Sequence, residues 1–259
     1  MFFQVFKQLF EKRDLLIALT LKELKTRYKS TMLGFLWAFL NPLFQMIVLS
    51  IIFTVIVRIQ VEKYPLFLFA GLLPWMFFNQ SLISGTRSLI NNRELIKKAF
   101  FPREILPLSS VFSNLVNFLL SLLVFLPALF VLSNYISFNL LLLPVIILLQ
   151  IILTIGIVLV TSSLNIYYRD VSFVVQALIL AWFYLTPVIY PLSMVPKRFI
   201  SFYSLNPMVG IISLYHFTLL GRSLPSISIL LPSFLLILFI FTFGIILFKK
   251  REPYFADWV

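Results

Sequence analysis

Apolar residues run along this chain in long blocks separated by short charged segments. Formal charges are absent from residues 30–57, 64–86, 105–168, 171–196, 199–221 and 223–248. A helix crossing the hydrocarbon core of a bilayer needs about 20 predominantly apolar residues, so every block except the third has the length of one span. The third has room for two. Within it SNYISFN (133–139), with serine and asparagine as helix breakers, predicts the turn between helices over 108–132 and 140–166. The block 199–221, FISFYSLNPMVGIISLYHFTLLG, carries Asn206, Pro207 and Gly210 near its middle. A continuous helix there would free backbone groups that need protein or water as partners. It is read as a re-entrant or interfacial pair of short helices within an extracytoplasmic segment, 191–222. The expected fold is an all-α membrane protein, one domain over 1–259, with six transmembrane helices and both termini on one side.

Ahead of the first span, Phe2, Phe3, Val5, Phe6, Leu9 and Phe10 share one arc of a helical wheel, and Gln4, Lys7, Gln8, Glu11 and Lys12 share the other. A second stripe, Ile17, Leu21, Leu24 and Tyr28, continues it, so 1–28 reads as helices lying in the membrane interface. Charges inside the apolar part and the lack of a small-residue cleavage site argue against a signal peptide. Charge then orients the chain. The side holding the N-terminus, residues 87–104, the turn at 168–170 and the C-terminus collects 16 of the 21 Lys and Arg residues. Arg58, Lys63, Lys197, Arg198 and Arg222 are left on the other side, the Lys197 and Arg198 pair being the exception to the pattern. Basic residues mark the cytoplasmic side, so both termini and the 87–104 island are expected there. The net charge of +12 reflects membrane orientation rather than nucleic-acid binding.

Candidate chemistry is sparse. None of the seven glycines precedes a lysine, so no phosphate-cradling P-loop is present. With no cysteine and one histidine, His216, thiolate sites and two-histidine metal clusters are excluded; His216, among apolar residues, suits packing or hydrogen bonding. The nine acidic residues form no D-x-D pair, which argues against sugar-transfer or hydrolysis chemistry. An ion-coupled transporter places ionisable residues within its spans, and the six expected spans hold no Asp, Glu, Lys or Arg. The driving force must come from outside, most simply from a soluble partner on the cytoplasmic face. The island RSLINNRELIKKAFFPREILP (87–107) offers a contact. Asn91 is placed to cap a helix with Glu94 as its third following residue, Leu95, Ile96, Ala99 and Phe100 supply apolar contacts, Arg93, Lys97 and Lys98 polar ones, and Pro102 ends it. Such a helix can enter a partner's groove. A basic loop that only fixes topology is the alternative.

The ordered set YKSTMLGFLWAFLNPL (28–43), LIKKAFFPREILPL (95–108), YYRDV (167–171), TPVIYP (186–191) and LNPM (205–208) resembles the membrane subunit of ABC-2-type polysaccharide exporters, nearest the O-antigen branch. The resemblance runs from about residue 20 to the end. It implies a homodimer of six-span subunits in the bacterial inner membrane, resting on two copies of a separate P-loop ATPase that binds ATP and Mg. It implies that the first cytoplasmic loop couples to that ATPase through Arg93, Glu94, Leu95, Ile96, Lys97, Lys98, Phe100 and Arg103, with Arg169 and Asp170 in the second cytoplasmic turn. The implied cargo is a polysaccharide on a polyprenyl pyrophosphate, with no enzymatic step in this chain. Flat faces on Phe35, Trp37, Phe39, Trp182 and Tyr184 suit a sliding sugar polymer, and equally suit helix packing or the interfacial belt. Lys25, Arg27 and Lys29 suit a pyrophosphate headgroup, or anionic membrane lipids and topology. Exporters of teichoic acid, capsule or a smaller lipid or drug share the expected fold. A membrane-embedded sugar polymerase would have only Arg169 and Asp170 to work with.

Overall fold

The computed structural model describes residues 7, 10–29, 31–133 and 138–258. The interfacial arc at Phe2, Phe3, Val5, Phe6 and Leu9, and residues 134–137 of the expected turn, lie outside the described residues. In chain order the helices are α1 (Arg13–Tyr28), α2 (Trp37–Ile51), α3 (Tyr64–Asn91), α4 (Arg93–Lys98), α5 (Ile105–Ser133), α6 (Leu143–Tyr167), α7 (Val171–Tyr184), α8 (Ile200–Ser204), α9 (Pro207–Leu220), α10 (Ile227–Arg251) and α11 (Phe255–Trp258), with no strand among the described residues. A short 3-10 turn leads into α2 and a π turn, Ile52–Ile56, leads out of it.

Among the described residues, five helical segments are long and apolar enough to cross a membrane: Gly34–Ile56, Tyr64–Asn91, Ile105–Leu132, Phe138–Tyr167 and Ile227–Trp258. The expected fifth span is shorter than its apolar block suggested. α7 has 14 residues, about 21 Å at 1.5 Å per residue, against a hydrocarbon core of about 30 Å. Pro187 is the reason, since the residue before a proline is pushed out of helical geometry. Beyond α7 the chain continues as turns whose residues Thr186 to Ile189 are buried in protein, where irregular backbone is tolerated at membrane depth.

α3 is the axis. Residues apolar on all sides bury it from Tyr64 to Leu89, and α2, α5, α6, α7 and α9 pack around it. α10 lies on α6 with backbone against backbone: a Cβ built at Gly156 would sit 2.7 Å from the Phe241 Cα, and one at Gly244 would collide with the Gly156 carbonyl. Small residues allow that approach where lipid offers no hydrophobic drive between helices. Deep in the core Gln150, fully buried, donates to the Pro74 carbonyl at 2.7 Å and accepts from the Tyr215 hydroxyl at 2.8 Å, so its amide is satisfied.

The block 199–221 breaks between α8 and α9 at Asn206 and Pro207, where the sequence placed the interruption. Asn206 Oδ1 accepts from the Met208 N–H at 3.0 Å, a helix N-cap. Gly210 does not break α9. It makes room for Ser233 of α10, whose Oγ would lie 2.6 Å from a Cβ there. α9 starts beside Trp182, whose ring stands edge-on to Phe78 at 5.2 Å, and ends at Gly221 in the left-handed region, φ +64°. His216 near its end stacks on Phe67 at 4.0 Å, with Nε2 3.1 Å from the Phe67 carbonyl. Phe67 and Phe78 are about 16 Å apart along α3, so α9 runs antiparallel to that stretch of it. Nearly all of α9 is buried in protein, which sets it apart from a helix lying on an interface.

Candidate functional site

A polar seam joins α1 to α5. Ser109, Ser110, Ser113, Asn114, Asn117 and Ser121 recur at helical spacing, so they share one face of an otherwise apolar helix. α1 answers with Glu23 and, one turn on, the neighbouring Arg27 and Tyr28. Glu23 accepts from the hydroxyls of Ser110 at 2.7 Å and Ser113 at 3.1 Å, Arg27 Nη1 donates to Asn114 Oδ1 at 2.7 Å, and the Tyr28 hydroxyl donates to Asn117 Oδ1 at 3.0 Å. Asn114 Nδ2 donates on to Ser84 Oγ of α3 at 2.9 Å. Burial pushes the Tyr28 hydroxyl above the ordinary phenol range, against the opposing pull of Arg27. Where α1 leaves the seam, a cavity of about 470 Å³ opens between α2, α3 and α5. Trp37, Phe77 and Phe118 give it flat apolar walls, Asn41, Gln80 and Asn117 give it amides, and Arg27 stands at its edge. Aromatic faces beside amide donors and acceptors suit a ring that is apolar on its faces and hydroxylated on its rim. A guanidinium suits a phosphate oxygen pair.

The charged loops form a second constellation. Asn91 is the last residue of α3, and Asn92 occupies the N-cap position of α4 without a side-chain cap. The expected capping box is therefore not formed: Asn92 Nδ2 donates back to the Ser88 carbonyl at 2.8 Å, and Glu94 pairs forward with Lys98 at 3.0 Å. The Lys98 ammonium holds the Glu94 carboxyl below the usual carboxylate range. α4 has six residues, with Ala99 already extended. Ile96 is 3% exposed and packs in an apolar cluster with Leu89, Leu106, Ile166, Phe248 and Phe255, whereas Phe100 is fully exposed. Arg103 turns to the C-terminal segment, its N–H donating to Glu252 Oε1 at 3.0 Å and its guanidinium to the Glu252 carbonyl. Beside it Lys249 bridges Glu104 at 2.7 Å and Glu252 at 2.9 Å. Burial, reinforced by the Glu252 charge, pushes the Glu104 carboxyl up while Lys249 opposes it. Arg169 and Asp170 stand exposed in the turn between α6 and α7. Asn165 locks that turn, accepting from the Ser172 N–H at 3.1 Å and donating to the Thr86 carbonyl at 3.1 Å.

Residues 14–220 match the ABC-2 type transporter family. The chain belongs to that family. It is 34% identical, over 97% of both chains, to the O-antigen export system permease protein RfbA of Myxococcus xanthus. A protein of the same name from Klebsiella pneumoniae is 36% identical over 94% of both. The polysialic acid transport protein KpsM of Escherichia coli is 26% identical over 91% of this chain and 92% of its own. An ABC-2 chain of this kind is a multi-pass membrane protein.

Within this ABC-2 chain the residues proposed from sequence divide. Trp37 lines the 470 Å³ cavity. Phe39 instead meets Phe69 edge-on at 5.9 Å inside the helix packing. Phe35 leans on Tyr28 at 4.7 Å and shares a different recess with Lys25 and Lys29. Trp182 donates its indole N–H to Asn206 Oδ1 at 2.7 Å, and Tyr184 is exposed beyond it. The five aromatics do not share one surface in a single chain. Nor do the three cations, because Arg27 faces α5 while Lys25 and Lys29, one turn apart, face the other recess. Asn41, Gln80, Asn114 and Asn117 were missed. Their signal was uncharged amides inside apolar blocks, which a search for formal charge passes over.

The expectation that Ile96 offers an apolar contact to a partner is corrected by its burial. Ile96→Asp would place an unpaired carboxylate in an apolar cluster, at roughly 3 kcal/mol or more. The expected result is loss of folded permease in detergent extracts, seen by size-exclusion chromatography. Full recovery of monodisperse protein would contradict the placement.

Proposed function

We propose that the chain is the permease subunit of an ATP-driven exporter carrying an O-antigen-type polysaccharide, on a polyprenyl pyrophosphate, from the cytoplasm across the bacterial inner membrane. One observation carries the reading: nearly full-length similarity to permeases named for O-antigen export, in a chain with a cavity that combines aromatic walls, amides and an arginine. The lower identity to a polysialic acid transporter favours O-antigen over capsule. Teichoic acid, a smaller lipid or a drug has no comparable support. In this reading Trp37 and Gln80 contact sugar and Arg27 meets the pyrophosphate, with Lys25 and Lys29 drawing anionic headgroups to the same end of α1.

The working unit is two copies of this chain with two copies of a P-loop ATPase, which binds the ATP and Mg. The broad apolar faces of α2 with the π turn after it and of α7, exposed at Phe44, Val48, Val55, Leu178 and Leu180, belong against lipid or the second copy. α7 and the buried turns after it make the sixth crossing. α8 enters the membrane and α9 leaves it on the same side, with both termini cytoplasmic. The contact with the ATPase centres on α4. Its exposed Arg93 and Lys97, with Phe100 just beyond its end, face outward, and Arg169 and Asp170 form the neighbouring contact.

Three measurements test this. Gln80→Leu keeps the size of a side chain that faces the cavity, so surface polysaccharide should fall severalfold per assembled complex; unchanged export would remove the cavity from the path. A buried phenylalanine contributes about 1.5–3 kcal/mol, so Phe100→Ala should weaken ATPase copurification roughly tenfold or more. Wild-type recovery of the ATPase would move the contact elsewhere. The chain has no cysteine, so single cysteines at 200 and 222 report topology directly. Both should react with a membrane-impermeant thiol reagent from the extracytoplasmic side, and reaction from opposite sides would add a crossing.

A further inference from the structure

The C-terminal segment touches both cytoplasmic turns. On one side Glu252 accepts from the backbone of Arg103 and shares Lys249 with Glu104, which fixes the chain as it leaves the α4 loop. On the other side the Arg251 guanidinium lies 5.1 Å from the Tyr167 ring, and Trp258 lies 5.2 Å from the same ring. Tyr167 is the last residue of α6, immediately before the turn that holds Arg169 and Asp170. Between these two attachments Phe255, fully buried, meets Phe248 edge-on at 5.2 Å in the cluster that also holds Ile96.

The chemistry of the first attachment is informative. Glu104 is 2% exposed, and a buried ion pair gains little over apolar side chains of the same volume because both charges must leave water. Removing one partner, however, strands the other charge. Such a pair contributes a defined geometry more than net stability. α4 needs one, because a six-residue helix followed by extended chain has no stability of its own and would yield locally under load.

We propose that residues 249–258 are a positioning brace that locks the α4 loop to the α6–α7 turn, so that a displacement imposed at one cytoplasmic turn is carried to the other. The inference rests on the reading of α4 as the ATPase contact. Docking and bracing fall on different side chains: Phe100 points away from the chain, and Glu252 points into it.

The test uses the permease coexpressed with its ATPase, with export read as surface polysaccharide per assembled complex. Glu252→Ala should leave ATPase copurification and ATP hydrolysis at wild-type levels while export falls fivefold or more. Lys249→Glu should fall at least as far, and pairing it with Glu104→Lys should restore at least half of wild-type export, because the ion pair re-forms in reversed sense. Wild-type export from Glu252→Ala overturns the brace. Joint loss of ATPase and export also overturns it, since the segment would then be part of the docking contact. Should Glu252→Ala fail to fold, a cysteine pair at 167 and 258 joined by a short thiol crosslinker decides the matter in a chain with no other cysteine. Export that persists with the bridge closed supports the brace, and blocked export overturns it. Failure of the α4 reading shows separately, as Phe100→Ala that retains the ATPase.

Discussion

An unpaired backbone amide or carbonyl costs several kcal/mol in hydrocarbon, and the arrangement of this chain follows from where it meets that constraint. Asn206 is the clearest case. With Pro207 unable to donate, the turn between α8 and α9 has carbonyls and amides to satisfy at the level of Trp182. One side chain does most of it, capping Met208 with its oxygen, taking the Trp182 indole N–H on the same atom, and donating to the Leu185 carbonyl and Thr186 hydroxyl. The end of α7, the turns after it and the start of α9 are thereby one knot. A short α7 and a short α9 are tolerable because the end of the first and the start of the second lie in protein and not in lipid.

The same constraint explains why uncharged amides carry the polar work inside the bundle. Gln150 between Pro74 and Tyr215, Asn165 between Thr86 and Ser172, and Asn114 between Arg27 and Ser84 each satisfy two elements at once. A charged side chain in those places would need a partner of opposite sign or water. Seen this way the cavity beside α1 is unusual, because Asn41 and Gln80 line open space and no hydrogen bond ties either side chain among the described residues. Polar groups left facing a void are what a polar cargo can use.

Much of the fold was legible in the sequence, and the reasons it was legible also mark the limits. Uncharged blocks located every long helix, since length and charge alone decide what crosses hydrocarbon. Proline and asparagine located the α8–α9 break. Gly210 misled because a glycine inside a helix reads as a breaker, whereas here it admits Ser233 against the helix backbone. Ile96 misled for a related reason. In a six-residue helix the apolar side chains do not establish which face is inward, and a tertiary contact from Phe248 and Phe255, about 150 residues away, decides it. The aromatics proposed as a cargo path were chosen by residue type, and type does not distinguish Trp37, which faces a cavity, from Phe39, which packs edge-on against Phe69.

The charged end obeys a different rule from the bundle. Water is available there, so no backbone group forces a structure, and a loop carrying seven charges between Arg87 and Glu104 has no intrinsic reason to be rigid. Its rigidity is borrowed from α10, which is itself seated on α6 by the contact of Gly244 with Gly156. That approach is open only to glycine, because any side chain larger than hydrogen would meet backbone. Under the proposed brace, the contacts that continue from α10 run to α6, and through Asn165 and Ser172 to α7 and the Asn206 knot at the far end of that helix. The chain thus has a continuous path of stiff contacts between its charged face and its buried turns, built from small residues where helices cross and from single polar side chains where they end.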